Sequence, residues 1–363
     1  MTMKTKHRGG KARSLVPAGD GEPLIESPMA RDDDRASGSS GSAPKKPVVE
    51  VSLTTAILSV KDNEPLVLVM REIDNGRASD GLPFGPFSPL QHRTLESGLR
   101  SWVKVQTGLE LGYVEQLYTF GDRGRHAEPG DRGPHAVSIG YLALTSERET
   151  QSEQNLWQSW YHYFPWEDFR NGRPALLDHD ILPRLEAWAH TPAPEERPLD
   201  RAERLRMCFG TGEGSWDEEK VLERYELLYE VGLAAEAARD GRLTLDAGRM
   251  PVGEAMQFDH RRILATAIGR IRAKIKYRPV IFELLSEEFT LFELQQTVEA
   301  ILGPHLHKQN FRRLVESGGL VEPTGDVKTA TGGRPAKLYR FRREVLLERP
   351  SPGVRVKSGR GPV

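Results

Sequence analysis

A run of polar and basic residues near the end of the sequence has side chains suited to reading a DNA duplex. The run contains Lys308, Gln309, Asn310, Arg312 and Arg313. Arginine pairs with guanine edges, glutamine and asparagine pair with adenine edges, and lysine or arginine binds phosphate. At about 100° per residue, Gln309, Arg312 and Arg313 point away from the apolar side of a helix, with Asn310 at its edge. The run therefore predicts a DNA-recognition helix.

Two predicted helices would position these side chains. Thr290 is an N-cap residue and Glu293 completes a capping box, so a helix begins there and ends at Gly303 and Pro304. The turn "GPHL" leads into the second helix, "HKQNFRRLVESGG". Two helices joined by a short turn are typical of a helix-turn-helix.

A basic hairpin follows the second helix. The segments "GLVEPTG" and "PAKLYRFR" alternate like two strands around the loop "DVKTATGGR", which predicts the wing of a winged helix. Lys328, Arg334, Lys337 and Arg340 are placed to reach phosphates. The alternative interpretation is a small protein-interaction module with a solvated basic face.

Charge separates the two ends of the chain. The 363 residues carry a formal net charge of −1, but residues 256–363 contain 20 Lys and Arg against 11 Asp and Glu. The preceding residues are correspondingly acidic. This asymmetry predicts that the last third of the chain meets a polyanion.

The first half of the sequence predicts a mixed α/β or α+β domain. Strands are expected at 49–60, 65–72, 112–122 and 136–144, with one helix over 88–108. We expect Ser88, Pro89 and Gln91 to begin that helix and Gly108 to end it. An amphipathic segment near residue 180 closes the domain.

Helical segments connect the two halves. A Pro-rich linker at 190–200 precedes a strongly helical stretch at 217–241, and a further helix is expected over 258–277. The last of these has one isoleucine-rich side and one basic side. It could join two domains or pair with a second copy of the chain, and we expect a homodimer.

Composition excludes several classes of protein. Residues 1–48 are rich in Gly, Ser, Pro and charge, which predicts a disordered tail, as does the basic end at 349–363. The single cysteine, Cys208, excludes an internal disulfide and any cysteine-based zinc site. No apolar run approaches the roughly 18 to 20 residues of a membrane span, so we expect a cytoplasmic protein without a membrane partner.

The region 49–145 resembles the Nudix superfamily, whose motif is G-x5-E-x7-R-E-U-x-E-E-x-G-U, with U a bulky aliphatic residue. Here the loop reads "LPFG" (82–85) and the motif ends with "TGL" (107–109). Counting back from that end, the metal-binding glutamates fall on Trp102, Val105 and Gln106, and the arginine on Ser101. None of the three is acidic, and hard cations need carboxylate oxygens to support phosphoanhydride cleavage. A displaced metal site at Glu110, Glu115 and Asp122 is the open alternative.

Such a scaffold can still bind a nucleotide. The resemblance implies that basic residues and loop glycines face a diphosphate, while polar and aromatic residues meet a base or ribose. The candidate ligand-binding residues are Arg71, Gly85, Arg93, Lys104, Gln116, Tyr118 and Arg123. For each basic residue the alternative is a solvated surface position, and for Tyr118 it is a place in the core.

An inactive Nudix-like domain joined to a basic winged helix resembles the Nudix-related regulators of NAD metabolism, the NrtR and NadQ type of repressor. The resemblance covers about residues 49–145 and 257–343, through "QTGLELGYVEQLYTFGD", "FDHRRILATAIGRIRAKIKYRPVIFELL", "FTLFELQQTVEAILG" and "KQNFRRLVESGGLVEPTG". It implies a dimeric repressor that binds double-stranded operator DNA. It also implies an adenine-nucleotide effector, NAD, ADP-ribose or ATP, and no catalytic residue, metal or cofactor.

These inferences predict an α+β fold in five parts. A disordered tail (1–48) precedes a Nudix-like α/β/α ligand-sensing domain (49–190). A helical insertion or linker (191–256), a winged helix-turn-helix (257–348) and a basic tail (349–363) follow. The alternative function is a divergent Nudix-type nucleoside-diphosphate hydrolase with a basic interaction domain.

Overall fold

The computed structural model describes most of the chain after residue 48. The described residues are 49–74, 76–122, 135–150, 153–191, 200–242, 250–329, 335–348 and 350–354. The predicted N-terminal tail and most of the predicted C-terminal tail lie outside them. Within the described part, no helix combines the length and the apolar character needed to cross a bilayer.

A seven-stranded mixed sheet forms the first half. Its strands are β1 (Val49–Lys61), β2 (Glu64–Asp74), β3 (Arg77–Gly81), β4 (Phe84–Pro86), β5 (Tyr113–Phe120), β6 (His135–Leu144) and β7 (Asn155–Ser159). The main order is β3-β2-β1-β6-β5, with β4 paired to β1 and β7 paired to β2. The sheet domain predicted from the sequence is therefore present, with three more strands than expected.

The central strand pair is parallel and buried. Strand β1 pairs with β6 in parallel from Val49 opposite His135 to Leu58 opposite Leu144. From Leu53 to Val60 every residue of β1 is buried. A strand covered on both faces needs a continuous apolar and β-branched run, and "LTTAILSV" supplies it.

Helix α1 (Leu95–Thr107) begins later than the sequence suggested. Thr94 is the N-cap and exchanges hydrogen bonds with Ser97 in a capping box, whereas Ser88–Gln91 forms a turn. The prediction that Ser88, Pro89 and Gln91 begin the helix was wrong, because the Thr94 and Ser97 hydroxyls satisfy the first free N–H groups. The predicted end at Gly108 is confirmed, with a left-handed φ of 79°.

Short helices fill the middle of the chain. They are α2 (Trp160–Tyr163), α3 (Leu182–Ala189) after a π-helical turn at Leu177–Ile181, α4 (Arg201–Phe209), α5 (Val221–Val231) and α6 (Ala235–Arg239). The stretch 217–241 is two helices rather than one, because Gly232 adopts a φ of 81° and ends α5. Helix α4 was not anticipated.

Helix α7 (His260–Lys274) is buried along most of its length. Its predicted apolar side, which includes Ile263, Ile268 and Ile271, is fully buried within the chain. One hydrophobic cluster runs from the sheet through α5 and α7 into the C-terminal helices. The sequence suggested that this helix joins two domains or pairs with a second copy of the chain. Its apolar side packs within the chain, which agrees with the first of these roles. The domain boundaries at 190 and 256 stay predictions.

The C-terminal part is a winged helix, as predicted. Helices α8 (Leu291–Leu302) and α9 (Lys308–Ser317) follow a 3-10 turn at Val280–Leu284, and α10 (Val345–Glu348) comes last. Strands β8 (Phe289–Thr290), β9 (Val321–Lys328) and β10 (Ala336–Phe341) form a sheet in the order β8-β10-β9. The Thr290–Glu293 capping box is present. The predicted α+β fold class with a C-terminal winged helix is confirmed.

Candidate nucleic-acid interface and nucleotide site

Helix α9 presents a polar face to solvent. Phe311 and Val315 are buried against the core, and Leu314 packs beside them. The predicted DNA-binding residues of this helix, Lys308, Gln309, Asn310, Arg312 and Arg313, are all exposed. The orientation expected from helical periodicity is therefore confirmed.

A groove of about 470 Å³ lies between the start of α8, helix α9 and strand β10. Lys308, Arg312 and Lys337 line it together with Phe292 and Tyr339. The fold thus brings residues predicted on the recognition helix and on the wing to one surface. The Lys308 ammonium lies 5.9 Å from the centroid of the Phe292 ring, which holds the charge near the groove.

Several of the predicted cations pair with acids of the winged helix itself. Arg312 donates to Glu316 at 3.2 Å, Lys328 to Glu293 at 2.5 Å and Arg340 to Glu322 at 2.6 Å. These exposed pairs are weak and phosphate can replace the carboxylate. Among the described residues, no ion pair engages Lys308 or Lys337.

The structure describes some of the remaining predicted DNA-binding residues. Arg313 contacts the Asn310 side-chain oxygen at 3.5 Å, and Gln309 is exposed. Hydrogen bonds from Arg312 to Tyr339 and Glu316 raise the pKa of the Arg312 guanidinium above its usual value, so it stays charged. Arg334 lies outside the described residues.

In the sheet domain, Arg71 forms an ion pair with Asp80. Its guanidinium donates to both carboxylate oxygens of Asp80, at 2.7 and 2.8 Å, and the Tyr163 hydroxyl donates to the same carboxylate at 2.6 Å. Burial opposes ionisation of Asp80, but these donors outweigh it and lower the pKa of its carboxyl. In this structure the Arg71 guanidinium therefore binds Asp80 of the same chain rather than facing a ligand site.

The other predicted ligand residues are spread over the sheet. Gln116 and Tyr118 are exposed on β5, and two strands, β1 and β6, separate them from Arg71 on β2. That separation is roughly 14 Å at about 4.8 Å per strand. Exposed Lys104 pairs with Glu110 at 2.5 Å, Arg93 is exposed, and Arg123 lies outside the described residues. Among the described residues, the structure does not bring the members of the predicted set together in one pocket.

Two of the three positions that would carry metal-binding glutamates make hydrogen bonds to the loop backbone instead. Trp102 Nε1 donates to the carbonyl of Pro86 at 2.8 Å, and Gln106 Nε2 donates to that of Phe84 at 2.7 Å. A Cβ at Gly85 would lie 2.4 Å from the Trp102 ring, so β4 packs directly on α1. Val105 is 75% exposed. Trp102 and Gln106 thus hold the loop against α1 where the motif would hold a cation.

The nearby acids are also paired. Glu110 contacts Lys104, Glu115 contacts Arg270 and Lys274, and Asp122 contacts Arg262. Within the described part of the chain, no group of three or more His, Cys, Asp or Glu is arranged to hold a metal ion.

A buried ionic network joins the sheet domain to the winged helix. The carboxylate of Glu167 accepts two hydrogen bonds from Arg224, at 2.6 and 2.9 Å, and one from Arg272 of α7 at 2.7 Å. All three side chains are almost fully buried. Burial alone would raise the pKa of the Glu167 carboxyl, but the two guanidinium groups outweigh it and the pKa lies below its ordinary value.

The same network reaches the end of α8. Arg272 Nε donates to the carbonyl of Ile301 at 2.8 Å, and the Tyr161 hydroxyl donates to that of Ala300 at 3.0 Å. At the other end of α7, the Leu82 N–H donates to His260 Nδ1 at 3.0 Å. Helix α7 therefore contacts the loop before β4 and the last turn of α8. The sequence did not predict this link, because the helical pattern places Arg272 on the side of α7 expected to face solvent.

Comparison with known proteins identifies the C-terminal part. Residues 281–341 match the family of NrtR DNA-binding winged helix domains. This chain carries an NrtR winged helix.

Other similarities extend over more or less of the chain. A stretch of 86 residues, 24% of this chain, is 44% identical to the ADPR responsive transcriptional repressor NtrR of Acinetobacter baylyi. It spans 34% of that relative. Shewanella oneidensis NrtR complexed with a 27mer DNA is similar at a TM-score of 0.48 and 21% identity, over 81% of this chain and 94% of that one. The NUDIX domain of that protein complexed with ADP ribose gives a TM-score of 0.29 at 21% identity, over 34% and 82%.

The resemblance to NrtR-type regulators is thus confirmed through the NrtR winged helix. Because both TM-scores lie below 0.5, the solved structures add no argument about ligand or mechanism. The DNA contacts of individual residues and the nucleotide contacts of the sheet domain stay predictions.

Proposed function

We propose that this protein is a ligand-responsive, DNA-binding transcriptional regulator that represses genes of NAD biosynthesis. The observation that carries the proposal is the groove of the NrtR winged helix, where Lys308, Arg312 and Lys337 share one surface with the exposed face of α9. A helix with exposed Arg, Gln and Asn beside a basic wing fits a major groove and its flanking phosphates.

The sheet domain senses an adenine nucleotide, NAD, ADP-ribose or ATP, in this proposal. It does so without hydrolysis, because Trp102 and Gln106 occupy positions where the Nudix motif has metal ligands and bind the loop backbone instead. The paired states of Glu110, Glu115 and Asp122 argue against the displaced metal site. A protein that senses a nucleotide should release it unhydrolysed, and the lack of metal-binding carboxylates at the motif positions agrees with that. The relative that is 44% identical over 24% of this chain is named as an ADPR responsive transcriptional repressor, which supports a regulatory function.

Helix α7 carries the effect of the nucleotide to the DNA surface. It contacts the loop before β4 through His260 and the end of α8 through Arg272. A nucleotide shifts DNA affinity only if it binds two arrangements of this link with different affinity. Two chains act together, because a dimer matches the two-fold symmetry of operator half-sites.

Fluorescence anisotropy with the full chain tests this function. Labelled duplexes from upstream of NAD-synthesis genes and random duplexes of equal length are titrated at physiological salt, each with and without NAD, ADP-ribose and ATP. We expect promoter DNA to bind at least about 1000-fold more tightly than random DNA. We also expect one of the three nucleotides to change that affinity about 5- to 150-fold.

Two results would contradict the proposal. Equal binding of promoter and random duplex removes the regulator function and favours the interaction module. Specific binding that none of the nucleotides alters removes the sensing function.

A further inference from the structure

A cleft of about 490 Å³ opens beside the end of the β2–β3 hairpin. Its walls come from both strands, from Phe84 of β4 and from the two residues that lead into α7, Gln257 and Phe258. The volume is in the range of small-molecule sites, roughly 300 to 1000 Å³. None of the predicted ligand-binding residues that the structure describes lines it.

The inner side of the cleft is aromatic. The Phe84 and Phe258 rings meet edge to face at 5.7 Å, and each lies within 5.5 Å of the His260 ring, at 5.2 and 5.5 Å. Phe258 adopts a φ of 46°, which residues with a side chain rarely occupy. Such backbone strain is tolerated where the surrounding structure holds it, and the Phe258 side chain lines the cleft.

The rim of the cleft carries an excess of negative charge. Glu72 and Asp74 face it with one cation, Arg77, and all three are exposed. The Gln257 amide donates to the Glu72 carboxylate at 3.0 Å and fixes its position. Two carboxylates against one guanidinium repel a diphosphate. They attract a planar cation, whose charge the ring faces also favour.

We propose that this cleft binds the positively charged ring of an N-ribosylated pyridinium, the oxidised nicotinamide end of a nucleotide. The ring packs against Phe84 and Phe258, and the ribose hydroxyls donate to Glu72 and Asp74. The phosphates of the bound nucleotide lie at the open side of the cleft, away from the carboxylates. The proposal rests on the proposed sensing function and names the nucleotide end that is read. Because Gln257 and Phe258 lie just before Asp259, the N-cap of α7, occupancy acts at the start of the helix that reaches α8.

Titration calorimetry of the full chain with nicotinamide mononucleotide, oxidised and reduced, tests the charge requirement. The two ligands differ little in size, but only the oxidised ring is cationic. We expect the oxidised form to bind about two- to thirtyfold more tightly, the range expected for a cation over aromatic faces. Glu72→Gln should bring this ratio close to one. Glu50→Gln, at an exposed carboxylate on β1, is the matched control and should leave the ratio unchanged.

Phe84→Leu supplies an independent measurement, because it removes a ring but keeps an apolar side chain. We expect it to weaken the oxidised ligand several-fold, with an unchanged circular dichroism spectrum as the check on folding. Equal affinity for the two forms, or a ratio that Glu72→Gln leaves intact, would overturn the proposal. ADP-ribose that binds and alters promoter affinity under those circumstances leaves the sensing function standing, so failure of the cleft and failure of the function are distinguishable.

Discussion

Arg272 of α7 is hydrogen-bonded to the carbonyl oxygen of Ile301, in the last turn of α8, through its Nε at 2.8 Å. The same guanidinium holds the carboxylate of Glu167, which belongs to the sheet half of the chain. A side chain that is 1% exposed thus contacts both the sheet half of the chain and the winged helix.

Glu167→Ala should destabilise the protein strongly. The change leaves Arg224 and Arg272 buried without their carboxylate, and removing one partner of a buried pair costs about 3 to 5 kcal/mol. Chemical denaturation gives the free energy of unfolding. The control is Glu96→Ala, which breaks the exposed pair with Arg100 and should cost less than about 0.5 kcal/mol. Equal costs for the two variants would show that the network is not stabilising.

The Glu167 contribution should also depend on pH. The pKa of this carboxyl is lower in the folded than in the unfolded chain, so its stabilisation is full above the unfolded value of about 4.3. It is lost as pH falls below that value through the folded pKa. Unfolding free energies of the wild type and Glu167→Gln, measured from pH 6 downward, should therefore converge in acid. A constant difference would contradict the assignment.

Tyr161→Phe should weaken communication between the two halves while the fold survives. It removes only the hydroxyl that donates to the Ala300 carbonyl. We expect the ratio of promoter affinities with and without the effective nucleotide to move toward one, as anisotropy measures it. Tyr277→Phe is the control, because that hydroxyl is on an exposed tyrosine beyond the end of α7 and has no assigned role in binding. Similar ratios for both variants and the wild type would exclude this path.

Lys337→Ala and Arg313→Ala should affect DNA binding differently. Lys337 lies on the wing, so its loss should weaken all sequences alike and lower the slope of log affinity against log salt by about one. Arg313 lies on the exposed face of α9, and if it reads a base its loss removes about 1 to 3 kcal/mol of discrimination at one position. Lys61→Ala, an exposed lysine at the end of β1, is the control. No change in either variant would refute the interface.

The protein should not turn over ADP-ribose, NADH or nucleoside triphosphates with magnesium or manganese. The reason is that Trp102, Val105 and Gln106 offer no carboxylate to a divalent cation. Phosphate release and chromatography should show less than about 0.1 turnovers per second, against a typical enzyme range of roughly 1 to 1000. Metal-dependent turnover above that rate would favour the divergent hydrolase.

Gly85→Ala should destabilise the sheet domain. The added Cβ would lie 2.4 Å from the Trp102 ring, so either β4 or the indole must move, at a cost of about 1 to 3 kcal/mol. Gly121→Ala provides the comparison, since its nearest neighbour is the Val137 side chain at 3.6 Å. A thermal shift in Gly85→Ala no larger than in Gly121→Ala would mean that the loop yields easily.

The parts of the fold that depend on local patterns were predictable. The Thr290–Glu293 capping box fixes the start of α8, and the spacing of Phe311 and Val315 fixes which side of α9 is exposed. The start of α1 was missed, because Ser88 and Pro89 imitate an N-terminus that Thr94 supplies. A short pattern cannot tell which of two competing caps the tertiary packing selects.

The site was less predictable than the fold. The Arg71–Asp80 pair and the Arg272–Glu167 pair join residues that no periodicity relates. Arg272 lies on α7 where the pattern indicates a solvated side, and only the packed helices reveal that this side is covered. The cleft likewise forms between β2 and the residues before α7, which lie far apart in the chain.

The parallel pairing of β1 with β6 imposes an order on folding as the chain leaves the ribosome. Strand β1 emerges early and its run from Leu53 to Val60 is apolar, but its partner ends only at Leu144. The hairpin with β2 can protect one edge of β1 at once, since Leu58 pairs with Val67 nearby in the chain. The other edge of β1 can pair only after β6 has been synthesised, and pairing between segments far apart in the chain is slow. One edge of β1 therefore stays unpaired until β6 has been synthesised, and an unpaired apolar strand edge favours aggregation during that interval.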